Sequence, residues 1–407
     1  MKRVLCLLLA VLFIAAAEIL TPASAAQLAL SRWSGAEANA WYAKQPWLVG
    51  SNYIPADAIN QLEMWQAATF DPKRIDLELG WAQALGINTM RVFLHDLLWK
   101  QDPEGFKKRI GIFLDIAAKH HIKPIFVLFD SCWDPEPKLG PQHPPIPGVH
   151  NSGWVQSPGV AMDDSAQYPR LEAYVKGVVG AFAKDNRILA WDVWNEPDNP
   201  GGGNYAAEEP KDKFARVEYL LPKVFAWARS MHPIQPLTSA LWHDDDWSHP
   251  KNLNAIERIQ LNESDIVSFH NYGWPEEFER RVAQLQGYGR PIICTEYMAR
   301  SAGSTVDDVM PVGKRLNVGM INWGFVNGKT QTNLPWNSWE RPYTLQQPVV
   351  WFHDLLHKDG RPYREREAQI IHALSHSPKG VVPESVAHED FKHAPAILEA
   401  PAGSRTP

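Results

Sequence analysis

Ile188-Leu189-Ala190-Trp191-Asp192-Val193-Trp194-Asn195-Glu196-Pro197 reads as a short apolar β-strand that carries an Asn-Glu pair to its C-terminal end. Pro197, which has no amide hydrogen to offer a neighbouring strand, stops the ladder there. Pro291-Ile292-Ile293-Cys294-Thr295-Glu296-Tyr297 repeats the arrangement, a β-branched apolar run ending on a second carboxylate. Two acids delivered by two separate strand ends fit the cleavage of a glycosidic bond, in which one acid donates a proton while the other stays charged.

Outward from these runs, short β-like segments alternate with longer amphipathic ones. The spacing predicts strands over 47–54, 89–94, 124–129, 188–194, 237–242, 266–270, 291–296 and 319–325. Helix-like segments fall between them over 75–85, 106–120, 171–183, 214–231, 253–261, 275–286 and 306–316. Eight such alternations point to a single-domain (β/α)8 TIM barrel. A doubly wound open sheet is the rival, but it would prefer a Gly-rich phosphate turn after an early strand, and the sequence has none.

Two connections exceed what a barrel needs. Residues 132–166 follow the third strand and carry Trp133 and Trp154; residues 327–344 follow the eighth and carry Trp336 and Trp339. Both leave strand C-termini, the face on which barrel enzymes work. The 18 tryptophans also supply flat apolar surfaces on which sugar rings stack. Trp41, Trp81 and Trp227, with helix-like neighbours, are read as core.

At the N-terminus, Lys2 and Arg3, the apolar run 4–17 and Ala23-Ser24-Ala25 read as a secretory signal over residues 1–26. Its removal takes two of the 40 basic and one of the 46 acidic residues, leaving 38 against 45, a formal charge of −7. Such a surface does not bind nucleic acid, and no later apolar run is long enough to span a bilayer. The expected product is secreted or periplasmic, with no membrane contact after processing. The barrel is expected over 27–372, followed by a Pro-repeated disordered tail over 373–407. Cys132 and Cys294 permit at most one disulfide and are read as free buried thiols.

On these residues the chain resembles the clan A glycoside hydrolases, closest in motif to family 5, the cellulase and mannanase family, over roughly residues 45–360. In that clan an Asn-Glu-Pro ends the fourth strand and carries the acid/base, matched here by Asn195, Glu196 and Pro197; the nucleophile ends the seventh strand, matched by Glu296. The resemblance implies that Arg91 lies near the nucleophile and keeps it ionised, and that His270 and Tyr272 match the family's His-x-Tyr. Tyr272 would then steady Glu296, and His270 would touch substrate or acid/base. Asn195 is implied to bind the sugar 2-hydroxyl, and Trp323 to floor the reacting subsite. One position departs from the pattern: many members carry a histidine near the third strand end, where this chain has Asp130, which either binds a sugar hydroxyl or caps the following loop.

His243-Asp244-Asp245-Asp246-Trp247-Ser248-His249 lacks the alternation of a calcium loop and the spacing of a zinc helix, and is read as a solvated loop beside the cleft. The implied chemistry requires no metal and no cofactor. The expected activity is retaining hydrolysis of a β-linked oligo- or polysaccharide, with endo action favoured over exo because Trp-bearing loops flank a groove, although the same loops could close one end. Transglycosylation on the same intermediate and a non-catalytic carbohydrate-binding barrel are the alternatives.

Overall fold

In the computed structural model, residues 31–201 and 204–387 are described; the expected signal segment 1–26 lies outside them. Eight strands run β1 (Val49–Asn52), β2 (Thr89–Phe93), β3 (Lys123–Val127), β4 (Ala190–Asp192), β5 (Leu237–Thr238), β6 (Val267–His270), β7 (Ile292–Glu296) and β8 (Gly319–Asn322). All are parallel, in the order β5-β4-β3-β2-β1-β8-β7-β6. Leu241 closes the ring between β5 and β6, donating its N–H to the Ser268 carbonyl at 3.0 Å and accepting from the His270 N–H at 2.8 Å. The result is a (β/α)8 barrel.

Every expected strand is present, but most are shorter than expected. β4 ends at Asp192 instead of Trp194, because the chain must leave the ladder to bring Glu196 round at φ +38°. The helices obey local signals. That at Pro72–Leu85 starts on Asp71, whose carboxylate accepts from the Lys73 and Arg74 amides, and stops at Gly86 in the left-handed region at φ +85°.

The barrel's N-terminal end is plugged by Leu48, Ile125, Ala190, Ile266, Ile293 and Ile321, and the helix Gly35–Ala43 packs over this plug through Ala38, Tyr42 and Trp41. A second apolar layer, containing Trp65, Phe113, Phe126 and Trp191, fills the space between sheet and helices, with Trp81 and Trp227 packed against it. Each large side chain buried in this way contributes roughly 1.5–3 kcal/mol. Among the described residues, no helix is long and apolar enough to cross a membrane.

The expected boundary at residue 373 needs correction. It falls inside the helix Glu365–His376, whose Ile370, Ile371 and Leu374 are buried; Val386 packs there as well. Periodic prolines hid an amphipathic helix that precedes them. Residues 388–407 lie outside the described residues. This helix is fastened from within: Glu367 takes Arg300 at 2.7 and 2.5 Å, and both side chains are buried. Glu367→Ala would leave that guanidinium without its counter-charge, so a loss of about 3–5 kcal/mol is expected, read as a lower urea midpoint.

Candidate active site

The candidate side chains meet at the C-terminal mouth of the barrel. Arg91, on the inward face of β2, is fully buried and its guanidinium is a hub. Its Nη1 donates to Glu296 Oε1 at 2.8 Å and to Asn52 Oδ1 at 2.9 Å. Its Nε and Nη2 donate to Asp192 Oδ2 at 3.0 and 2.7 Å, and Nη2 also reaches Asn195 Oδ1 at 2.6 Å. Burial alone would lower the Arg91 pKa, but Asp192 and Glu296 raise it overall, so the cation persists.

Glu296 ends β7 and receives a second donor, the Tyr272 hydroxyl, at 2.6 Å. A bulge between Phe269 and His270 sets His270 directly opposite Glu296 in the β6–β7 register. His270 Nδ1 lies 2.7 Å from Glu196 Oε1, and its Nε2 lies 3.6 Å from Glu296 Oε1 with no hydrogen-bond partner. Burial drives the His270 pKa down to about 4, so the ring is neutral near pH 7.

Glu196 sits beyond the end of β4 with a backbone that L-residues rarely adopt, a strain of about 1–3 kcal/mol that its neighbours must hold. Asn199 Nδ2 donates to its Oε2 at 2.6 Å and the Cys132 thiol does so at 3.3 Å. Carboxylate oxygens of Glu196 and Glu296, together with a nitrogen of His270, all lie within 4.8 Å of one another. Such a trio could hold a divalent ion, but the Arg91 cation already sits 2.8 Å from Glu296, where it opposes a second positive charge.

The two acids have different surroundings. Burial raises both carboxyl pKa values. Glu296 has the Arg91 charge and the Tyr272 hydroxyl against it, whereas Glu196 has only neutral donors in contact. Two carboxylates this close do not both ionise readily, so the shared proton rests on Glu196 and the charge on Glu296. Tyr272→Phe tests this split. Losing a charge-assisted hydrogen bond, worth about 1.5–3 kcal/mol, makes Glu296 harder to ionise. The acidic limb of the kcat/KM profile is therefore expected to move up by about one to two pH units while the basic limb stays in place.

Asn195 is clamped by its amide: Arg91 holds the oxygen, and Asp130 Oδ1 accepts from Nδ2 at 2.9 Å. Asp130 is buried, and its other oxygen accepts from Trp154 Nε1 at 2.6 Å while the Cys132 amide donates to Oδ1 at 3.2 Å. Both Asp130 oxygens are thus engaged, Oδ1 capping the loop after β3 through the Cys132 amide. Trp323 follows β8, partly exposed at the mouth, edge-on to Phe93 at 5.8 Å and Trp154 at 5.7 Å.

Four residues at the site escaped the sequence reading: Asn52, Asp192, Asn199 and Cys132. Strand alternation was the available signal for Asp192, since Ala190 and Asp192 share the face opposite Trp191. Cys132 and Cys294 are both free. The His243–His249 loop is mostly exposed, with Asp246 capping Ser248 and bonding Asn252, although His243 itself turns back to Asp198 Oδ2 at 2.8 Å.

No protein-family model and no curated protein sequence matches this chain. Solved structures share its fold. An exo-beta-1,4-mannosidase from Opitutaceae bacterium strain TAV5 superposes with a TM-score of 0.52 at 16% identity, over 81% of this chain and 59% of that one. The chain thus spans under two thirds of that mannosidase's length. A GH5_18 protein from Streptomyces cattleya, solved in complex with Manb1-4GlcNAc, gives a TM-score of 0.56 at 13% identity over 82% of both chains. At these identities the likeness is one of fold: the resemblance to glycoside hydrolase family 5 read from the motifs has its structural counterpart in a shared (β/α)8 barrel.

Proposed function

We propose that this chain is a retaining β-glycoside hydrolase acting on a β-linked glycan, exported by the leader expected over residues 1–26. The observation that carries the reading is the glutamate pair, with oxygens within 4.8 Å of each other and unequal surroundings. Retaining enzymes hold their carboxyls about 5–5.5 Å apart, while inverting ones leave about 6.5–9.5 Å for a water.

In this reading Glu296 attacks the anomeric carbon, forming an ester as the glycosidic C–O bond breaks, and Glu196 gives its proton to the departing oxygen. A water then enters, Glu196 takes its proton, and the oxygen attacks the anomeric carbon, releasing the sugar and restoring the Glu296 carboxylate. Arg91 and Tyr272 hold Glu296 charged; Asn195, fixed from both ends, presents its amide to the 2-hydroxyl; Trp323 supplies an apolar floor. No step calls for a metal or cofactor.

The test is a panel of aryl β-glycosides with β-mannans, β-glucans and xylans, assayed with wild type and Glu296→Ala. β-Mannosides are assayed first, since the Streptomyces structure was solved with Manb1-4GlcNAc. Cleavage by wild type alone is expected. Binding without cleavage by wild type would favour a carbohydrate-binding barrel, and equal rates for both proteins would remove Glu296 from the mechanism.

A further inference from the structure

Glu196 after β4 and Glu296 on β7 divide the ring of strands into two unequal arcs. β5 and β6 form the short one; β8, β1, β2 and β3 form the long one, which carries Trp323, Asn52 and Arg91. If the pair acts as proposed above, on which this inference rests, the sugar under attack lies over the long arc on Trp323, and the leaving group departs over the short arc.

The long arc is walled. The loop after β3 and the loop after β8 are stitched together: the Asn151 amide donates to the Thr330 carbonyl at 2.7 Å, Tyr343 N–H to Gly148 O at 2.9 Å, and His150 N–H to Ser338 Oγ at 2.8 Å. The join is tight. Gly148 has φ +76°, and a Cβ there would come within 2.5 Å of the Tyr343 backbone. The loop after β1 closes the remaining gap, with Lys329 N–H donating to Ala56 O at 2.9 Å and Lys329 Nζ bonded to Glu63 at 2.5 Å.

At the inner edge of this wall Trp133 and Trp339 stack at 5.4 Å and 17°. Trp336 of the same loop stands edge-on to Tyr272 at 5.1 Å. Behind Trp323, bounded by Phe93, Trp154, Thr330, Thr332 and Asp354, the cavity measures about 20 Å³, room for about one water. The loop after β8 also reaches the edges of the short arc, through Trp336 on Tyr272 and Trp339 edge-on to Tyr205 of the loop after β4 at 5.7 Å, while Trp274, at the β6 edge, is 54% exposed.

We infer that the site is blind on its glycone side and admits only the non-reducing end of a chain, so that the enzyme removes one terminal sugar per turnover while the rest of the glycan extends over the short arc. This reverses the endo action favoured from sequence. There, Trp-bearing loops were expected to flank a groove; in the fold they join across one end of it.

The experiment follows wild-type protein on β-1,4-linked manno-, gluco- and xylo-oligosaccharides, dimer to hexamer, tagged with a fluorophore at the reducing end. The expected products are free monosaccharide and a tagged chain one unit shorter at each step, with no early fall in the viscosity of the matching polymer. Early release of dimers or trimers would overturn the exo assignment and leave the hydrolase standing. Failure to cleave any series, together with failure on the aryl β-glycosides and polysaccharides of the panel, would overturn the hydrolase itself, and the exo assignment with it. Trp133→Ala combined with Trp339→Ala, checked for folding by circular dichroism, is expected to let dimers appear among the products. An unchanged monosaccharide-only pattern in that folded variant would show that the wall does not set product length.

Discussion

Glu296→Ala is expected to lower kcat/KM by about 10⁵-fold, or about 7 kcal/mol of transition-state stabilisation, with the folded protein still binding substrate. The size follows from what the carboxylate does in the proposed mechanism. It makes the covalent bond that divides one displacement into two, and no neighbouring group is placed to replace it: Arg91 and Tyr272 are donors to it, not nucleophiles. Removing the side chain also leaves Arg91 short of one of its two buried anionic partners. Part of the change would therefore appear as lost stability, and the two are separated by comparing urea midpoints with rates. A complementary readout is trapping. An activated 2-deoxy-2-fluoro glycoside of whichever sugar the panel identifies should add one glycosyl unit to wild type and none to the variant, with peptide mapping placing it on Glu296. A label on Glu196 instead would exchange the two roles.

Glu196→Ala should lose less activity, and selectively. General acid–base assistance is worth about 10²–10⁴-fold, and it matters most where the leaving group is a sugar alcohol. Such substrates are expected to fall by about 10⁴-fold. Dinitrophenyl glycosides, whose leaving groups need no proton, should still glycosylate Glu296 and then stall, giving a burst and a depressed KM. Azide should restore turnover and yield a β-glycosyl azide, because it attacks without a base. Equal losses for both leaving-group classes would count against Glu196 as the acid. The wild-type pH profile carries the same signature. Activity should rise as Glu296 ionises and fall as Glu196 loses its proton, and burial, which raises the Glu196 pKa, moves that basic limb above the ordinary carboxylate range.

The elements of the barrel were legible because their signals are local. A strand of period two and a helix with an Asp cap and a terminal glycine each announce themselves within a dozen residues. The acids at the ends of β4 and β7 were equally legible, since Pro197 and the apolar run before Glu296 mark where each strand stops. Segment lengths were less so. β4 gave up Val193 and Trp194 to the turn that carries Glu196, and Leu374 and Val386 showed that the Pro-bearing C-terminal region begins with a packed helix.

What one chain of letters determined, then, was the alternation of strands and helices, the two acidic strand ends and the aromatic wealth around them. Tertiary structure alone decided that Arg91 also meets Asp192 and Asn52, that Asp130 secures Asn195, and that loops from β1, β3 and β8 hydrogen-bond to one another. The reason is physical: backbone periodicity is set by neighbours in sequence, whereas the spacing of charges and the closure of a cleft depend on contacts that exist only once the ring of strands has closed.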